Sequence, residues 1–116
     1  MTRRPLTQAE VESAILDTAD ALDRVTHEFA DISDAAAEAE ADYKLAVART
    51  WLGIVGGERK MTTTERQMRT DALTNDALRA YKVAEARRAS TREALLSYRA
   101  RIDALRTVSA NVRAQS

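Results

Sequence analysis

The sequence predicts an all-α protein: two long helices that form a helical hairpin or coiled-coil-like bundle and assemble into an oligomer. Three observations carry this. Apolar residues recur every seven positions over most of the chain, two Thr-x-x-Glu boxes stand where helices would begin, and all 3 glycines fall within five residues of one another. Sustained heptads with a narrow apolar stripe are the mark of helices zipped along a seam. Composition agrees: 45 % of the 116 residues are apolar but only 4 % are aromatic, which makes a deep globular core hard to build. A chain this short with long helices leaves apolar surface for another copy to cover.

Thr7-Gln8-Ala9-Glu10 has the capping-box form, in which the Thr oxygen and the Glu carboxylate satisfy orphan amides, so the first helix should begin near Gln8 and run to about residue 52. One column of its heptads reads Val11, Thr18, Val25, Ile32, Ala39, Ala46 and the other Ile15, Leu22, Phe29, Ala36, Tyr43. Ile15, Leu22, Val25, Phe29 and Ile32 form the bulky part, expected to serve as a seam between subunits. After about Asp34 the seam is Ala-rich and permits close approach, and Ser33-Asp34 is a candidate kink. Trp51-Leu52-Gly53-Ile54-Val55-Gly56-Gly57 ends the helical pattern, because clustered glycines remove helix propensity and permit positive φ. The break should span 53–61. Thr62-Thr63-Thr64-Glu65 repeats the box and opens a helix predicted over about 63–112, with no Gly or Pro to interrupt it. Leu95, Tyr98, Ile102, Leu105 and Val112 form its seam, diluted by Ser109, and the last residues should fray. All of this reads as one helical domain, 1–116.

Several chemistries are excluded early. With no Cys and 1 His, a disulfide framework, a structural zinc site and most thiol or imidazole catalysis have no ligands or nucleophiles. Asp31, Asp34 and Glu38 share a helix face, yet no second cluster completes a coordination shell, and a solvated acidic face is the simpler reading. His27 has no legible partner or nucleophile. Gly56-Gly57-Glu58-Arg59-Lys60 lacks the strand and the Gly-Lys-Ser/Thr of a phosphate-binding loop. The expectation is a protein that is not an enzyme and needs no cofactor and no metal. No stretch has the length and apolarity of a membrane span, and the opening residues do not form an apolar signal core, so a cytoplasmic protein without membrane contact is expected.

The zero net charge conceals a separation: residues 1–42 carry 3 basic and 11 acidic side chains, whereas residues 43–116 carry 15 basic, 12 of them arginine, and 7 acidic. Either the acidic segment neutralises the basic one, or the arginines are kept for a polyanion such as DNA. Arg92, Arg99, Arg106 and Arg113 recur every seven residues beside the second seam, where coiled coils place interhelical charge pairs. Around the glycine break lie Lys44, Arg49, Trp51, Arg59, Lys60, Arg66 and Arg69, with Tyr43 nearby. Cations that track phosphates beside rings that stack on bases suit sequence-tolerant single-strand binding. The alternative makes Tyr43 a seam residue, Trp51 a cap over the helix end and the charges solvated.

The order Ala41-Asp42-Tyr43-Lys44-Leu45-Ala46-Val47-Ala48-Arg49-Thr50-Trp51-Leu52, a glycine break, then Tyr81-Lys82-Val83-Ala84-Glu85 and an Arg-studded helix to Arg113 resembles small phage recombination mediator proteins of the UvsY type. The likeness covers roughly residues 38 to 113. It implies an oligomeric helical protein that binds single-stranded DNA and helps load a recombinase onto coated strands. In that family, basic residues just before the break contact DNA; Arg49 matches one such position, whereas Val47 stands at the other. The leading expectation is therefore a non-enzymatic phage-type accessory protein that binds single-stranded DNA as a recombination or replication mediator in the host cytoplasm. The other is a helical protein-interaction module, a scaffold, chaperone or inhibitor of a host or phage protein, with its arginines consumed by acidic partners.

Overall fold

The computed structural model describes residues 4–57 and 60–115. Those residues form three α-helices and no strand: α1 (Gln8–Val55), α2 (Thr63–Leu73) and α3 (Asn75–Ala114). The all-α class is observed. Both predicted starts are present. The Glu10 N–H donates to Thr7 Oγ1 at 3.2 Å, and the Glu65 N–H donates to Thr62 Oγ1 at 3.1 Å. Thr62 holds the extended backbone of an N-cap, φ −69° and ψ 161°.

Three boundaries differ from expectation. First, α1 passes Ser33-Asp34 unbroken. Ser33 is half-buried and its hydroxyl has no hydrogen-bond partner, so it does not compete for the backbone as a kinking serine does. Second, α1 runs through Gly53 to Val55, and no described glycine has positive φ. Gly56 and Gly57 sit close over the last carbonyls of the helix instead. The Gly56 N–H continues the helical pattern to Leu52 O at 2.9 Å and the Gly57 N–H tightens to Ile54 O at 3.1 Å. A Cβ on Gly57 would lie 3.2 Å from Ile54 O.

Third, the helix expected over 63–112 is interrupted at Thr74, where φ is −106° and ψ is 7°. Its N–H and its hydroxyl both donate to Thr70 O, at 3.0 and 2.7 Å, while its own carbonyl accepts from Leu78 N–H at 3.0 Å. Thr18 and Thr26 make the same back-bond inside the unbroken α1, so that bond alone does not interrupt a helix; here it coincides with Asn75-Asp76 directly behind it, which are weak helix formers. At the other end α3 stays helical to Ala114, because Ser109 is an anchor: it is 1 % exposed, and its Oγ accepts from Gln8 Nε2 and Arg113 Nη2, both at 3.1 Å.

The chain divides into two compact units. The first joins the residues up to Ala30 with those from Ser90 onward; the second is Asp31–Ala89. In the first, α1 and α3 pair antiparallel, as the Gln8–Ser109 bond requires. Val11, Leu95 and Ile102 are its buried hydrophobics, at 0 %, 6 % and 6 % exposure. Thr18 is buried in the same column, its hydroxyl donating to Ala14 O at 2.7 Å. Ile15, Leu22, Val25, Phe29, Tyr98, Leu105 and Val112 are half-buried around them. In the second unit Ala36 is buried, Ile32, Ala39, Tyr43 and Ala46 are half-buried, and Thr70 and Thr74 seat α2. Ile32 and Ala35 lie across a hollow from Ala84 and Arg87. The heptad columns of α1 are thus buried or half-buried residue by residue within one chain. An α-helix returning alongside α1 presents a matching stripe at far higher effective concentration than another molecule does.

With so few fully buried side chains, each counts. Ile102→Ala should lower the unfolding free energy by about 2–4 kcal/mol, read as a reduced urea midpoint of the helical circular-dichroism signal, whereas Ile102→Val should cost about 1 kcal/mol.

Candidate functional site

The end of α1, the segment after it and α2 enclose an open cleft of about 510 Å³, lined by Thr50, Gly53, Ile54, Gly57, Met61, Arg69 and Leu73. Gly53 borders open space, where a Cβ would meet nothing within 4 Å. Ile54, Met61 and Leu73 give apolar walls, and Arg69 supplies a cation. Such a surface suits an apolar or flat group that carries a negative charge nearby.

Of the described residues expected around the break, only Arg69 lines this cleft. Arg59 lies outside the described residues. Lys60 is exposed between α1 and α2, and Arg66 is half-buried on α2. On α1 the helical step of 100° puts Lys44 and Trp51 about 20° apart but Arg49 about 140° from Lys44, so the three do not form one patch. Trp51 is half-buried at the edge of the packed face and outside the cleft lining. Lys44 is engaged with Glu40 at 2.8 Å. That bond lowers the Glu40 carboxyl below the usual carboxylate range and raises the Lys44 ammonium above its own.

Tyr43 is not a free stacking platform either. Its ring stacks on Tyr81 of α3, with centroids 5.9 Å apart and planes 20° from parallel. Lys82 Nζ stands 5.2 Å from the centre of the Tyr81 ring. The Tyr81 phenol is pushed up to about 12, chiefly by its hydrogen bond to Glu85 and then by desolvation. Sequence reading did not find this brace. The signal was present, since Tyr43 occupies the inward column of α1, but the register that brings Tyr81 opposite it is not written in either helix alone.

The arginines of α3 are the more open feature. Arg92, Arg99, Arg106 and Arg113 are exposed in the first unit, and Arg106 lies 3.9 Å from Asp103 one turn away on its own helix. Arg92, Arg99 and Arg101 have no carboxylate partner among the described residues, nor do Arg49, Lys60, Arg69 and Arg79 in the second unit. The ion pairs of Arg4 with Glu10, Lys44 with Glu40 and Lys82 with Glu85 are likewise local. Antiparallel pairing nonetheless balances the charge in bulk. The first unit has 8 basic and 8 acidic residues and the second 10 of each.

Asp31, Asp34 and Glu38 are exposed, and no group of three or more His, Cys, Asp or Glu among the described residues could hold a metal ion. His27 is exposed beside its own helix, with Nδ1 2.8 Å from Asp23 O. No described helix is long and apolar enough to cross a membrane. No family model matches the chain, and no curated protein or solved structure does.

The Tyr81 contact has a defined alkaline signature. The unfolded phenol ionises near pH 10, the folded one near 12. Its stabilising contribution is therefore whole below about pH 10 and is lost as pH rises through about 12. Phenolate absorbance should show one of the 3 tyrosines titrating late, and Tyr81→Phe should remove that component and flatten the fall in stability across this window.

Proposed function

We propose that the chain is a non-enzymatic, self-associating accessory protein that binds single-stranded DNA and serves as a phage-type recombination or replication mediator in the host cytoplasm. One observation carries the reading: Arg92, Arg99 and Arg101, with Lys60 and Arg69, stand exposed with no carboxylate partner among the described residues. If the arginine stripe existed to neutralise the acidic half of α1, these guanidinium groups would be expected to face carboxylates. An exposed planar fork is instead available for phosphate oxygens and for stacking on unpaired bases. The likeness to UvsY-type mediators points the same way and adds a recombinase as the protein partner. The engaged state of Tyr43 and the separation of Arg49 from Lys44 shift the proposed contact toward the arginines of α3 and toward Arg69, away from the turns before the break.

A second reading, a helical scaffold, chaperone or inhibitor without nucleic-acid binding, draws on Met68 and Leu73 of α2, which are 68 % and 62 % exposed. Apolar side chains that open to solvent favour a protein partner.

A fluorescent single-stranded oligonucleotide separates the two. Binding should be evident at low salt and fall steeply as salt rises, with a slope of roughly 0.7 per phosphate neutralised in a log–log plot. Arg92→Gln with Arg99→Gln should reduce that slope by roughly 1.4 while leaving the helical signal unchanged. No binding at low salt rejects the DNA reading.

A further inference from the structure

The outward face of α1 in the second unit carries a second heptad stripe. Ala41, Leu45, Ala48 and Leu52 fall within about 60° of one another, on the side opposite Tyr43, Ala46, Val47, Thr50 and Ile54. All four are exposed, Leu45 by 48 % and Leu52 by 69 %. Water-facing positions of a helix are normally polar, and a leucine repeat there leaves apolar surface uncovered.

We infer that this face is an antiparallel dimer interface whose occupant is the same segment of a second copy of the chain. The argument is self-complementarity, which a two-fold interface demands because each residue must suit its own mirror position. Place the axis between Ala46 and Val47. Leu45 then lies over the partner's Ala48, and Ala41 over the partner's Leu52, so every one of four layers sets one leucine against one alanine. Large opposite small lets two helices approach closely without a gap. The flanking positions agree in the same register. Asp42 meets the partner's Arg49 and Arg49 meets the partner's Asp42, giving two ion pairs on one side. On the other side Lys44, which holds Glu40 of its own helix, is set beside the partner's half-buried Trp51. Both Asp42 and Arg49 are exposed, and neither has an ion-pair partner among the described residues of its own chain.

The stripe is also bounded. One layer further out the same axis sets Val55 against the partner's Glu38, and the apolar run stops. Four layers form a small interface, at or below about 1,200 Å², so the dimer should be concentration-dependent, with a dissociation constant on the order of micromolar. It deepens only the self-association part of the proposed function and does not depend on DNA.

Sedimentation of the full chain over a range of concentrations tests this. The wild type should pass from monomer to dimer. Leu45→Glu with Leu52→Glu should weaken the dimer by at least about tenfold. Asp42→Arg alone and Arg49→Asp alone should each weaken it, because each sets like charges opposite one another, and the combined Asp42→Arg, Arg49→Asp chain should recover it. Circular dichroism should report unchanged helix in every variant, since all these positions are exposed. A wild type that stays monomeric overturns both the interface and the self-association reading, and leaves a different protein as the occupant of the stripe. A dimer that withstands the two glutamates overturns this interface while self-association stands on another face. Loss in both single charge variants without recovery in the double overturns the register.

Discussion

The structure depends on antiparallel pairing of α1 with α3 along a seam that is one side chain deep. Two helices lying side by side cannot enclose a core; each buries a stripe about a third of its circumference and leaves the rest to water. Small residues compensate in part. Ala36 in one unit and Ser109 in the other sit among the most buried positions because a short side chain lets the backbones close in. Specific side-chain pairs add to this: Gln8 with Ser109, Tyr43 with Tyr81. The register of the two helices is therefore set by a few contacts rather than by a filled interior.

Charge follows from the same pairing. An acidic first segment folded back beside a basic second one gives units of zero formal charge, although the chain is strongly polarised from end to end. Bulk balance is not the same as contact. The side chains that pair do so mostly with neighbours on their own helix, where a turn of backbone sets the distance. Arginines on the outer flank of α3 are left facing solvent. Ion pairs between exposed groups contribute little to stability, so such a row is not needed to hold the fold.

The thinness of the packing also explains why a helix can carry two different apolar faces. The inward columns of α1 are matched by α3, yet Leu45 and Leu52 recur on the far side with the same seven-residue spacing. In a thicker bundle a third helix would cover them. Here the second face stays exposed, with Asp42 and Arg49 exposed beside it.

Much of this was legible in the sequence. The two Thr-x-x-Glu boxes located helix starts because capping is chemistry within four residues. The columns from Val11 to Ala46 and from Ile15 to Tyr43 named the inward face because periodicity is a property of one helix. What local pattern did not contain was the partner. That the seam closes within one chain, that Tyr81 lies against Tyr43, and that Trp51 and Arg49 diverge around α1 all depend on which helix returns beside which, and in what register. The break at Thr74 was missed for a related reason: Thr74 caps α2 as a buried residue, and which residues of that turn are buried is decided by packing. Sequence settled where helices begin and which side of them is apolar, since both are short-range; tertiary structure decided what each apolar side meets, since that energy exists only between segments distant in the chain.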